Sequence, residues 1–317
     1  MSEATAIAPC ASGVSQPPGR NRSALVAAGF LTFMIMACFT GPLVMEAAGN
    51  APSAATYQAP CRAYPFGTDG NGRDLLYRVL SGGRVSILIA LCGAAVSLFI
   101  GTVVGMVSGF YGGRLDRWMM RTVDVLYALP RVLFALVLIA VLDEPVRSLL
   151  GGWLTAADRA GNFRLKEVLE SALPYSKTLV LIFCLGAVEW LTMARIVRGQ
   201  VLMLKERSFI EAARCLGLSP RRIIFRHLLP NLRPVIFTYL LLTIPVVVLD
   251  ESFLSFLGLG IDEPAASWGA LLKEGAGAIN PVESRWWLPV FPAMTMVLTL
   301  LALNSLGDNL RDSLDVH

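Results

Sequence analysis

The chain has 317 residues, 55% of them hydrophobic and only 16% charged, against about 25% charged in soluble domains. With a mean hydropathy of +0.61 and a net charge of only +4, it is excluded from the ordinary soluble class. It belongs in a lipid bilayer, with membrane lipid as its surroundings and no nucleic-acid partner.

A span needs about 20 apolar residues, and six segments qualify: about Ala24–Met45, Val85–Phe110, Met119–Leu142, Thr178–Ala194, Val235–Leu249 and Trp286–Leu306. The expected fold is therefore an all-α membrane protein of six transmembrane helices. Residues 1–23 are Pro/Ser/Ala-rich and read as a disordered cytoplasmic N-terminus, with Arg20 and Arg22 just before the first span, 24–45. A cleaved signal peptide ending near Ala47-Ala48 competes with that reading. Its apolar run of 22 residues is too long for a signal core of about 7–15. An outer loop, 46–84, leads to the main transmembrane region, 85–308, and a cytoplasmic tail, 309–317, follows.

In the second span Gly101, Gly105, Gly109 and Gly113 recur every fourth residue. Such a stripe on one helical face lets another helix approach closely, where packing replaces a hydrophobic drive that lipid does not supply. The third span carries Asp124 and Arg131, the fourth Glu189, the fifth Asp250 and Glu251. Arg131 lies 12 residues into its helix, about 18 Å at 1.5 Å per residue. Glu189 lies similarly deep from the opposite side, so the two are expected to pair near the midplane, where a lone charge is costly. Pro130 is expected to loosen the helix beside Arg131. A gate or substrate contact and a plain structural ion pair both fit this pattern. The segment Asp143–Lys177 carries five acids and five bases and no spanning run. It is expected on the outer face as one or two short helices. The fifth span is short, and its apolar run resumes after Asp250-Glu251 through Phe253–Leu259.

Between the fourth and fifth spans, residues 195–233 hold nine Lys/Arg and two acids. Lys/Arg-rich loops stay cytoplasmic, and the cytoplasmic placement of both termini follows. That topology leaves 15 Lys/Arg inside and 11 outside. Locally, a helix emerging from the fourth span is expected to end at Gly217 in a left-handed cap. Ser219 then N-caps a second helix with Pro220 in its first position, and Pro230 ends it. Arg221, Arg222 and Arg226 alternate with Ile223, Ile224 and Leu228 on this helix. The product is a helix–turn–helix knob with an apolar and a basic side, suited to a groove on a partner. A solvated loop that binds nothing is the plainer alternative.

Cys10, Cys38, Cys61, Cys92, Cys184 and Cys215 have no paired spacing, so neither a disulfide framework nor a zinc site is expected. With only His227 and His317, no histidine metal cluster is expected, and no cofactor.

From about Tyr64 onward the chain resembles the permease subunits of the oligopeptide/dipeptide ABC importers, the second of their two permeases. The matching stretches are FGTDGNGRDLLYRVLSGGRVS (Phe66–Ser86), GFYGGRLDRWMMRTVDVLYALPR (Gly109–Arg131), ARIVRGQVL (Ala194–Leu202), EAARCLGLSPRRIIFRHLLPN (Glu211–Asn231), ESFLSFLGLG (Glu251–Gly260), SWG (Ser267–Gly269) and NSLGDNLRDSLD (Asn304–Asp315). Seven blocks in order, over about four-fifths of the chain, are specific. The resemblance implies a type I ABC importer permease fold. It implies two cytoplasmic ATPase subunits, a second homologous permease and an extracytoplasmic solute-binding protein as partners. It also implies that Glu211, Ala212, Ala213, Gly217 and Pro230 shape an ATPase-coupling loop; Arg221, Arg222 and Arg226, by their charge, read as electrostatic contacts beside it. His227 stands where the wider importer pattern has an aliphatic residue, and the 143–177 segment is longer than that pattern. Related permeases carry dipeptides, longer peptides, nickel chelates or glycosides.

Leu80-Ser81-Gly82-Gly83-Arg84 nearly spells an ABC ATPase signature, but it lies beside a span on the outer side. The chain has no GxxxxGK[ST] phosphate loop, and ATP hydrolysis needs such a cradle. This chain is therefore expected to transport, with ATP consumed by another subunit. An ion-coupled secondary transporter would build its site from groups such as Asp124 and Glu189. It shows no inverted hydropathy repeat and would leave the knob unexplained. An intramembrane hydrolase would need a Ser–His pair or a metal motif within the spans, and the spans have neither.

Overall fold

The computed structural model describes residues 20–49, 51–261, 265–279 and 283–314. Most of the expected N-terminal segment and the end of the tail lie outside these. Eleven α-helices are described among them: α1 (Arg20–Gly49), α2 (Leu75–Tyr111), α3 (Gly113–Tyr127), α4 (Arg131–Arg159), α5 (Phe163–Ala172), α6 (Ser176–Lys205), α7 (Ser208–Cys215), α8 (Pro220–Ile223), α9 (Leu229–Phe256), α10 (Trp268–Gly277) and α11 (Trp287–Leu314). Five segments are long and apolar enough to cross a bilayer: Arg22–Met45, Leu75–Tyr111, Phe163–Lys205, Pro220–Phe256 and Trp287–Asp312. The bent pair α3 and α4 makes a sixth.

The α2–α6 pair is the spine. Gly101 and Gly105 are buried where they meet, and a Cβ on Gly101 would lie 2.5 Å from Met193 Cβ. On Gly105 it would lie 2.6 Å from the Ala194 carbonyl, and on Gly109 2.9 Å from Val201 Cβ. Gly186 answers from α6, where a Cβ would fall 2.6 Å from Val96. Small residues bring the two backbones together, as apolar surroundings require. Gly113 is not part of this stripe. The helix stops at Tyr111, Gly112 and Gly113 take φ +65° and +62°, and nothing lies within 4 Å of a Cβ on Gly113. A left-handed pair turns the chain there, which only glycine does without cost.

Around the spine, α1, α4, α9 and α11 close a central core that includes Cys38, Ile89, Leu185, Val247 and the fully buried Trp268. Trp268 donates from Nε1 to the Val79 carbonyl at 3.0 Å. Outward faces of α1 and α4 expose Phe33, Met36, Val44, Leu133, Val137 and Val141, apolar side chains suited to lipid contact. At 37 residues, α2 is about 55 Å long at 1.5 Å per residue. That exceeds a hydrocarbon layer of about 30 Å, so its ends stand in the interfaces. Its start is buried beneath the 51–74 loop, where Arg78 pairs with Asp69 at 2.8 Å and with Glu274 of α10.

The third span is not the single helix expected over Met119–Leu142. α3 and α4 meet at 95°, and Arg131 is the first residue of α4, not a position 12 residues into a helix. Pro130 is the cause: it lacks an N–H to continue α3, and at φ −56°, ψ 118° it stands outside the helical region. Pro130 thus ends one helix and starts another. The segment expected as an outer loop, Asp143–Lys177, also differs, because α4 runs unbroken through Pro145 to Arg159. Gly161 (φ +65°) then reverses the chain, with the Asn162 N–H returning to the Ala157 carbonyl at 3.0 Å. Asn162 Oδ1 accepts from the Leu165 N–H and starts α5, which continues through a short 3₁₀ turn into α6. Pro145 lies in the interior of α4, so the helix there goes without the hydrogen bond that an N–H at 145 would make one turn back.

Candidate functional site: the α7–α8 knob and the charged cluster at the α3–α4 bend

The helix expected to run from the fourth span to Gly217 is two helices. α6 ends at Lys205, whose Nζ donates to the Phe110 carbonyl at the end of α2 at 2.8 Å. α7 follows after Glu206-Arg207. Gly217 takes φ +71°, the Leu218 N–H reaches the Ala213 carbonyl at 3.1 Å and the Gly217 N–H reaches the Arg214 carbonyl at 2.9 Å. This is a full Schellman cap, which pays the orphan carbonyls of α7. Ser219 occupies the N-cap position of α8 in an extended conformation, but its side chain makes no cap hydrogen bond. Pro220 begins the helix as expected.

Pro230 does not end this helix. Residues 224–228 form a π turn that passes directly into α9, with Pro230 in the first turn of that helix. With no N–H at 230 to serve the carbonyl four residues back, the hydrogen-bond register widens and the helix continues.

Ile210, Ala213, Ile223, Ile224, Leu228 and Leu232 are buried against Met106, Phe110, Met193, Val197 and Val201. The knob is thereby clamped to the ends of α2 and α6. Ala213 is only 4% exposed, so it belongs to this base and not to the outer surface. Glu211, Ala212, Gly217, Arg221, Arg222 and Arg226 are exposed, interleaved with the exposed apolar Phe209, Leu216 and Phe225. An apolar patch with a basic rim on a rigid base is a surface shaped for protein contact.

At the bend between α3 and α4, the geometry places Arg131 between two carboxylates. Its Nη1 lies 3.1 Å from Glu189 Oε1 and its Nη2 lies 3.0 Å from Asp250 Oδ1. Asp250 was visible in the sequence only as a charge near the end of a span; the bend that aims Arg131 at α9 was not. Nearby, α3 is pinned across α6 by Asp116–Arg198, at 2.6 and 2.7 Å, and by Asp124–Arg195, at 2.8 Å.

Glu251 is fully buried and accepts from Ser86 at 2.9 Å and Ser255 at 2.7 Å, while the Trp268 N–H donates to Ser86 Oγ at 3.2 Å. The network ties α2, α9 and α10 together. The Glu251–Ser255 spacing of one helical turn was legible in advance, but Ser86 and α10 were not. Among the described residues no group of three or more His, Cys, Asp or Glu side chains is disposed to hold a metal.

Apolar crossing helices, charges paired between helices and a structured polar knob define a multi-pass membrane transport subunit. The chain is 41% identical to the oligopeptide transport system permease protein OppC of Haemophilus influenzae, over 79% of this chain and 69% of that protein. It is 34% identical to the dipeptide transport system permease protein DppC of Bacillus subtilis, over 93% of this chain and 82% of that protein. A looser likeness, TM-score 0.49 at 18% identity, links 75% of this chain and 97% of the other to the MetNI methionine ABC transporter in an inward facing conformation. Residues 101–316 match the binding-protein-dependent transport system inner membrane component, and the chain belongs to that family. It is a permease subunit of an ABC importer in the cell inner membrane.

Proposed function

We propose that this permease carries peptides, of the di- and oligopeptide class, inward across the membrane. It forms the pathway with a second homologous permease, receives solute from an extracytoplasmic binding protein, and is driven by two cytoplasmic ATPase subunits. Both termini and the knob lie in the cytoplasm, and the chain hydrolyses no ATP itself. The knob carries this reading: a Schellman-capped helix pair seated on α2 and α6, with Glu211, Ala212 and Gly217 outward beside Arg221, Arg222 and Arg226. Closure of the ATPases pushes the knob, and its buried base passes the push to the α2–α6 spine as a rigid unit. The peptide class is supported by the OppC and DppC relatives.

The test is Glu211→Lys, which reverses the charge of an exposed group without touching the buried base. Membrane insertion and stability are expected to stay normal, while ATPase association and peptide uptake fall at least ten-fold. Normal uptake at normal expression refutes the coupling role.

A further inference from the structure

One face of the bundle is polar where the others are greasy. On α3, α4, α6 and α9 it carries Asp124, Arg131, Glu189, Thr192, Arg195 and Asp250. The side chains of Asp124, Arg131 and Arg195 are 60%, 49% and 39% exposed, and Thr192 is exposed too. The Arg195 guanidinium lies 4.0 Å from the Tyr127 ring centre, so its position is held from two sides. Hydrocarbon tails against such groups would cost several kcal/mol, so lipid does not cover this face. Elsewhere α4 exposes Leu133, Val137 and Val141, where lipid contact costs nothing.

A cavity of about 190 Å³ indents the polar face, lined by Arg131, Glu189, Thr192 and Tyr127 among apolar neighbours. It has room for several water molecules. Arg131 and Glu189 line it, and the second carboxylate, Asp250, stands behind on the other nitrogen of the same guanidinium, so the cluster at this wall carries one positive and two negative groups. A dry protein cover would leave that extra negative charge without a partner, whereas water, or a cationic group on a solute, satisfies it.

We propose that this face is a water-filled wall of the translocation pathway, and that the Arg131–Glu189–Asp250 cluster is a subsite for solutes bearing both an ammonium and a carboxylate. It rests on the permease reading above. Glu189 and Asp250 would receive the ammonium, the second positive group that these two carboxylates lack, and Arg131, shared between them, would receive the carboxylate.

The experiment uses the assembled transporter in membranes, with the native cysteines of this chain replaced and Thr192→Cys or Phe183→Cys introduced. Both positions are exposed on α6, but only the first is on the polar face. A membrane-impermeant maleimide is expected to label Thr192→Cys at least ten times faster than Phe183→Cys. Equal rates, or no labelling of Thr192→Cys, overturn the wall. Saturating dialanine is expected to slow that labelling at least three-fold, and its N-acetylated, C-amidated form is expected to leave it unchanged. Fast labelling indifferent to both overturns the subsite alone. Dialanine uptake by the unaltered transporter is measured in parallel, so that a failed peptide reading is seen separately from a failed wall.

Discussion

Replacing Gly105 by Ala isolates the close packing of the α2–α6 spine. A Cβ there meets the Ala194 carbonyl at 2.6 Å, Val197 Cβ at 2.8 Å and the Arg198 N at 3.0 Å. Two of these three are backbone atoms, so no side chain can swing away and the helices themselves have to part. Overpacking of this kind costs about 1–3 kcal/mol. Against it stands the better helix propensity of Ala, about 1 kcal/mol. Gly199→Ala on α6 provides the control, because nothing lies within 4 Å of a Cβ there and only the propensity gain applies. Gly105→Ala is therefore expected to be less stable than Gly199→Ala by about 1–3 kcal/mol. At roughly 2–4 °C per kcal/mol for domains somewhat smaller than this chain, several degrees separate their melting curves. The assay is thermal unfolding of the purified, detergent-solubilised protein, followed by the loss of its monodisperse gel-filtration peak. Equal midpoints for the two variants refute the claim that backbone approach at Gly105 holds the spine.

At the bend, neutralising Arg131 leaves two carboxylates facing each other, whereas neutralising Glu189 or Asp250 leaves Arg131 one partner. Arg131→Met is therefore expected to lower the melting midpoint more than Glu189→Gln or Asp250→Asn. The Arg131→Met/Glu189→Gln double-mutant cycle should show coupling of at least about 0.5 kcal/mol; additive losses would reject the pair. Deleting residues 154–169, the tip of the α4–α5 hairpin, should leave insertion and ATPase association intact and weaken the stimulation of ATP hydrolysis by the binding protein. Stimulation equal to the intact transporter would remove any docking role from the hairpin.

The sequence alone determined the membrane class, the number of spans to within the broken one, and the knob, because each follows from local composition and spacing. Gly217 reads as a left-handed cap wherever it ends a short amphipathic helix, and the glycines at 101, 105 and 109 mark a close approach whatever helix makes it. What approaches them is a tertiary fact: Met193, Ala194 and Val201 belong to α6, almost a hundred residues on. Only the structure decided that Pro130 breaks the third span outright, that Pro230 shifts the register of a continuous helix, and that Gly113 leaves the stripe. A proline removes the same donor in every case, and whether the chain bends, bulges or stops depends on which neighbours can take up the freed carbonyl. The same holds for the charges. Counting residues from the span ends matches Arg131 to Glu189 on the premise of an unbroken third helix, whereas Arg131 meets Glu189 and Asp250 from the first residue of α4, after the 95° turn between α3 and α4, a rotation that no single segment encodes.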